Sequence, residues 1–226
     1  YDQPFEIDYV IGSGQRAKAY LHQAGDLLFM SPLNWYRRSE SWDLAPNYEP
    51  DDIRRFRRRV TAACLACHAG RMAVGQRNSN RFPEPVFHEV QIGCERCHGP
   101  GREHIEFHEA AGTSAGAADP IVNPAKLDRA HRESVCYQCH LSSAARVLRP
   151  GRSHLDFRPG MALSEVWAIL DAGAQVTEDG RTRFVNHVPQ MRDSRCYLGS
   201  AGRMGCVTCH DPHTVPAAGS RTAYYR

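Results

Sequence analysis

Cys64-Leu65-Ala66-Cys67-His68, Cys94-Glu95-Arg96-Cys97-His98, Cys136-Tyr137-Gln138-Cys139-His140 and Cys206-Val207-Thr208-Cys209-His210 share one pattern, Cys-x-x-Cys-His. This is the spacing of covalent c-type haem attachment. Two thiols two residues apart reach the two vinyl groups of one porphyrin, and the histidine that follows lies under the iron as proximal ligand. Eight of the nine cysteines fall in such motifs. The expectation is therefore four covalently bound haem c groups. Cys64, Cys67, Cys94, Cys97, Cys136, Cys139, Cys206 and Cys209 make the thioethers, and His68, His98, His140 and His210 are the proximal ligands.

Zinc is the competing reading, because two Cys-x-x-Cys pairs can build one four-cysteine ribbon. It leaves the four adjacent histidines unexplained, although histidine is only 12 of the 226 residues. A disulfide framework fails for the same reason and belongs to small domains without a core.

The composition fits a chain wrapped around cofactors. Only 42% of it is hydrophobic, with 18 glycines and 14 prolines, and its mean hydropathy is −0.53. The macrocycles supply the missing apolar volume. No run of the roughly 20 apolar residues needed for a membrane span is present. No secretory signal is visible either. Covalent haem c is attached outside the cytoplasmic membrane, so the chain is expected to be the mature form of an exported protein, periplasmic or at the cell surface.

Formally the polypeptide carries +3, and of its 28 basic residues only Lys18 and Lys126 are lysine. Each ferric bis-histidine haem c adds roughly −1, which brings the oxidised holoprotein near about −1 and the reduced one near about −5. Arginine forks suit propionate carboxylates. The run Arg54, Arg55, Arg57, Arg58 and Arg59 is read as a solvated helix face with propionate pairing, and no nucleic-acid partner is expected.

The expected fold is mainly α and irregular, with a small N-terminal β-hairpin. Residues 1–50 hold no haem motif and form a hairpin and aromatic segment. Residues 51–226 form the haem-binding domain, compact with the first segment. Ile7–Ile11 alternates as a short strand. Ala17–His22 and Leu27–Met30 pair across Ala24-Gly25-Asp26. Gly12-Ser13-Gly14 is no dinucleotide loop, since no third glycine or helix follows. Trp35, Tyr36, Trp42 and Tyr48 are read as packing on the first haem or closing the hairpin. Helices are expected over Asp51–Cys67, Asp128–His140 and Ser164–Ala172, and Ala110–Ala118 is read as a surface loop. Asp179-Gly180 marks a turn. First cysteines lie 30, 42 and 70 residues apart, so no solenoid repeat is indicated.

Eight histidines remain for at most four sixth-ligand positions. His213 lies three residues past a proximal histidine. Covalent attachment turns the other face of its own iron away, so it is suited to capping a neighbouring haem. His104, after Gly99-Pro100-Gly101, can do the same. His187 precedes the fourth motif, and His88 and His22 are weaker candidates. His131 and His154 are read as solvent-exposed, and Met191 is an alternative thioether ligand. Cys196 stands outside every motif and is read as a buried free thiol, against a modified or intermolecularly paired one.

Several segments carry a family resemblance. Gly93–Gly101 and Cys206–His213 resemble the tetrahaem cytochromes c linked to hydroxylamine oxidation. Closer still are bacterial multihaem cytochromes that often bear tetratricopeptide repeats. The likeness extends over Tyr9–Gly14, Leu27–Tyr36, Ile121–Leu127, Val135–Leu141, Phe157–Trp167 and Ser194–His213. It implies bis-histidine haems, helix-and-loop wrapping, export and electron transfer. It also implies His104 and His213 as distal ligands, and His187 less closely. Relatives carry a histidine soon after Gly-Ser-Gly, where this chain has Gln15 and Arg16. One distal ligand is therefore expected from His22 or His88. Relatives also continue past the counterpart of Arg221–Arg226 into another Cys-x-x-Cys-His, so a longer protein with a fifth haem is expected.

The function expected is electron transfer through closely spaced haems, as a carrier, a subunit of a membrane redox complex or a wire-forming cytochrome. The partners are then redox proteins or further copies of the chain. The alternative is a reductase or oxidase of a small nitrogen or sulfur species at one five-coordinate haem, which needs an open iron and nearby acid–base groups.

Overall fold

The computed structural model describes residues 4–51, 55–73, 75–76, 79–110, 118–141, 145–170 and 187–224. By contacts the chain divides into two units, 1–96 with 153–156, and 97–152 with 157–226. This division falls inside the second haem motif, elsewhere than the composition-based boundary at residue 50. Residues 1–50 thus share a unit with the first motif.

The first unit is built on an antiparallel sheet of five strands: β1 (Tyr9–Ile11), β2 (Ala17–Ala24), β3 (Leu27–Met30), β4 (Leu33–Tyr36) and β5 (Ser41–Leu44). Its order is β1-β2-β4-β5, with β3 also paired to β2. The expected hairpin is β2–β3, in register Leu21↔Met30. Gly25, at φ +60, lies in its two-residue turn, a conformation that tight hairpin turns require. The sheet is larger than the sequence suggested, because the aromatic segment forms β4 and β5. Trp35 and Trp42 are cross-strand partners, with ring centroids 5.6 Å apart and edge-on, a pairing that stabilises strands through side-chain contact.

The helix expected over Asp51–Cys67 is shorter. A 3-10 turn spans Arg55–Arg57 and α1 is Ala62–His68. Between them the chain runs along β3: Met30 N–H donates to Arg58 O (2.9 Å) and Val60 N–H to Leu28 O (2.8 Å). Backbone pairing with the sheet replaces the helical ladder there. Leu21, Leu28, Val60, Leu65, Phe82 and Val86 form the core beneath α1. The second motif begins in this unit and continues through α2 (Glu95–His98).

The second unit holds α3 (Arg102–Glu109), α4 (Arg129–His140), α5 (His187–Asp193), α6 (Arg195–Gly199) and α7 (Arg221–Tyr224). α4 is the helix expected over Asp128–His140, with Asp128 as N-cap accepting from His131 N–H at 3.1 Å. The helix expected over Ser164–Ala172 is not formed. Leu163–Glu165 is a 3-10 turn, and β7 (Trp167–Leu170) pairs antiparallel with β6 (Ala145–Leu148). Four apolar residues in a row do not separate helix from strand, and an edge partner decided it. Val166, Trp167, Phe157, Leu163, Leu141 and Val188 make this unit's core. The expected turn at Asp179-Gly180 and most of the Ala110–Ala118 loop lie outside the described residues. Among the described residues no helix is long and apolar enough to cross a membrane.

Candidate haem sites

Short helices deliver the motifs. α1 contains Cys64, Cys67 and His68, α2 carries Cys97 and His98, and α4 ends in Cys136, Cys139 and His140. The fourth motif starts in a 3-10 turn, Cys206–Thr208. One helical turn puts both cysteines and the next histidine on neighbouring faces, as attachment to one ring requires. All eight motif cysteines carry free thiols.

The proximal histidines differ in preparation. His98 Nδ1 donates to the Val122 carbonyl at 2.8 Å. A carbonyl only accepts, so the proton is on Nδ1 and Nε2 is left bare for a metal, the outer-shell arrangement of ligating histidines. Burial, followed by the nearby charge of His187, lowers the His140 pKa and favours the neutral, ligating imidazole.

Two of the expected distal histidines meet a proximal one. The His98 and His213 rings lie 6.0 Å apart between centroids with an interplanar angle of 13°. His140 and His187 lie 5.5 Å apart at 76°. An imidazole nitrogen stands roughly 2 Å from a bound metal and about 1 Å from its own ring centre, so two imidazoles facing one ion are about 6 Å apart. Both pairs match.

The structure does not bring His104, His88 or His22 to a proximal histidine. His104 Nδ1 is 2.7 Å from Asp119 Oδ1, and His108 Nε2 is 3.0 Å from Asp119 Oδ2. The hydrogen bonds from His104 and then His108 hold the Asp119 carboxyl below its ordinary range. Nε2 of His104 stays unused in this cluster. His22 Nδ1 lies against Glu6 O (3.1 Å) and Asp8 Oδ2 (3.2 Å), edge-on to Phe5. His88 is exposed. His131, read as exposed, is half-buried and bound to the Asp128 carboxylate at 2.5 Å. His154, also read as exposed, is half-buried as well. Cys196, read as buried, is exposed on α6.

Two cavities flank the first and fourth motifs. One of about 830 Å³ lies beside Cys67 and His68, walled by Tyr9–Ser13, Phe87, Val90 and Ile92. The other, about 530 Å³, is an open concavity beside Cys209 and His210, bordered by Asp211, Pro212 and Tyr224. Both fall in the volume range of cofactor pockets, about 300–1,000 Å³. Arg132, four residues before Cys136, has a buried Nε without an acceptor. Buried donors are normally paired, and a propionate is the acceptor a haem on the third motif would bring. Paired thiols, the bare Nε2 of His98, a His140 imidazole favoured as neutral and the unanswered Nε of Arg132 all fit covalently bound haem c. Sequence reasoning did not find Val122, Asp119 or Arg132, because their roles depend on contacts across 24, 15 or more residues or on burial.

Comparison with known proteins finds similarity to cytochromes. Residues 35–99 match the family profile described as cytochrome c554 and c-prime. Cytochrome c-554 of Nitrosomonas europaea is 32% identical over 83 residues, covering 35% of this chain and 34% of that protein. The crystal structure of the outer cell wall cytochrome OcwA superposes with a TM-score of 0.55 at 19% identity, covering 91% of this chain and 45% of that one. An undecahaem cytochrome from the S-layer of Carboxydothermus ferrireducens gives a TM-score of 0.36 at 16% identity over 97% of this chain and 44% of that one. The chain therefore spans about a third of the curated relative and under half of each solved structure.

Proposed function

We propose that this chain, whose sequence match and fold are those of the multihaem cytochromes c, holds four covalent haems c outside the cytoplasm and passes electrons among them. The observation that carries this reading is the pair of facing imidazoles, His98 with His213 and His140 with His187. Six-coordinate iron changes oxidation state with little change in ligation and needs no substrate pocket. The residues then have distinct tasks. The eight motif cysteines hold the macrocycles, and His68, His98, His140 and His210 are proximal ligands. His213 and His187 are distal to the second and third. His104, prepared on Nδ1 by Asp119, is a further distal ligand, with His88 and His22 as weaker candidates. The Val122 carbonyl and the Asp119 carboxylate orient their imidazoles, and Arg132 answers a propionate.

The partners are redox proteins, further copies of the chain or a membrane redox complex. The outer cell wall origin named for one structural neighbour supports export to the cell surface. A second reading, reduction or oxidation of a small nitrogen or sulfur species, is favoured by one observation. Apart from the motif's own Cys67 and His68, the cavity beside His68 is walled by the Asp8 carboxylate, the Tyr9 phenol, the Ser13 hydroxyl, the Gln91 amide, and aromatic and aliphatic groups, none of which is a usual sixth ligand for a low-spin haem. EPR of the oxidised holoprotein separates the two. Low-spin signals alone support electron transfer. A high-spin ferric signal of about one iron per chain moves the assignment to an enzyme.

A further inference from the structure

We propose that Glu133, with Arg129 one turn behind it, is the positioning residue that fixes the fourth Cys-x-x-Cys-His against the third, so that their two haems behave as a coupled pair. The inference rests on the four-haem reading and adds to it a device that sets the behaviour of two particular haems.

Arg129 and Glu133 lie at i and i+4 on α4 and so share a face. Glu133 is only 3% exposed. A buried carboxylate demands hydrogen-bond donors, and both its oxygens accept from Cys206 N–H at 3.3 Å. The Cys206 thiol donates to Oε2 at 2.8 Å. The approach is so close that a Cβ on Gly205 would stand 2.3 Å from Glu133 Oε1, so a side chain there would push the carboxylate off the Cys206 N–H. Arg129 secures the loop before it. Its guanidinium donates to the Tyr197 hydroxyl at 2.7 Å, to Met204 O at 3.0 Å and to Gly202 O.

This grip places one attachment sulfur of each motif beside the other. The two thiols interact: the Cys206 pKa is pushed up first by the Cys136 thiol, then by burial and by Glu133, and the Cys136 pKa is lowered first by the Cys206 thiol. Once both sulfurs are thioethers, their S–H donors are gone and the Cys206 N–H still holds the carboxylate. A buried negative charge beside two haem attachments favours ferric over ferrous iron at both. The clasp therefore does two things: it fixes the distance between the two haems, and it lowers their potentials together.

The test uses the holoprotein and its variants Glu133→Gln, Glu133→Ala and Arg129→Gln. Haem number is read by intact mass, and midpoint potentials by EPR-monitored redox titration. Glu133→Gln keeps the shape and removes the charge. The expected result is an upward shift of two of the four midpoints, with the other two unmoved. Glu133→Ala is expected also to lose the magnetic interaction between that pair. Four unmoved midpoints in a fully loaded Glu133→Gln protein would overturn the inference, as would an equal shift of all four. If Glu133→Ala loses haem, Arg129→Gln reads the clasp with the carboxylate in place. A weakened interaction supports the inference, and an unchanged one overturns it. A wild-type mass with fewer than four haems would instead sink the four-haem reading itself.

Discussion

Single histidines divide the work of ligation by where their rings point. On the proposed ligation, the near-parallel planes of His98 and His213 and the near-perpendicular planes of His140 and His187 would give the two irons different magnetic anisotropy. His213→Ala is expected to abolish one ordinary rhombic low-spin signal. His187→Ala is expected to remove a strongly anisotropic one. Each should leave one new high-spin iron in the oxidised spectrum. If either variant keeps the wild-type spectrum, its pairing is wrong. Cys196 gives a simpler check. Exposed on α6 and outside every motif, it should be the single thiol that a maleimide labels in the native holoprotein, one adduct by mass. The motif cysteines and their histidines could be proposed from spacing alone, because covalent attachment imposes a fixed pattern on five consecutive residues. Distal ligands obey no such local rule. His213, whose ring lies 6.0 Å from that of His98, could be singled out because it follows a motif histidine at a distance that prevents it from serving the same iron. The unanswered Nε of Arg132 could not be, because burial is a property of the fold.

Elements follow the same logic. α4 was readable end to end, since Asp128 caps it and the third motif closes it. The Asp128 carboxyl is held below its ordinary range, first by the His131 backbone N–H and then by the His131 side chain. A lowered carboxylate pKa gives stability that is full above the unfolded value and is lost as pH falls through the folded one. Asp128→Ala should therefore lower the thermal midpoint at neutral pH, and the gap from wild type should close in acid. A gap that persists at the acid end would show that the cap acts through packing. The segment before α1 was misread because its charges suit a helix while its backbone pairs with β3 (Val60 N–H to Leu28 O, 2.8 Å). β7 was misread for a related reason. Val166 to Leu170 is too short for periodicity to choose, and β6 offered a partner. Both errors arise where a neighbouring edge, absent from any local window, satisfied the backbone.

At the scale of the molecule, two units with separate cores share four attachment motifs. On the four-haem reading the polypeptide charge of +3 is outweighed by the cofactors, and every electron taken up adds one negative charge. Reduction by four electrons should carry the holoprotein from about −1 to about −5. Its retention on an anion exchanger should then rise on reduction with dithionite, and unchanged retention would point to fewer electrons stored or to compensating proton uptake.

His213, which follows the fourth motif, faces His98 of the second, 115 residues earlier. Ligand order and chain order are thus interlocked. On the proposed ligation, the second haem would be joined to its cysteines as soon as they emerge, yet its iron would lack a second imidazole until His213 has followed. Maturation must tolerate, for that interval, a haem that binds whatever small ligand is at hand. A ribosome that stops short of residue 213 leaves that interval open permanently.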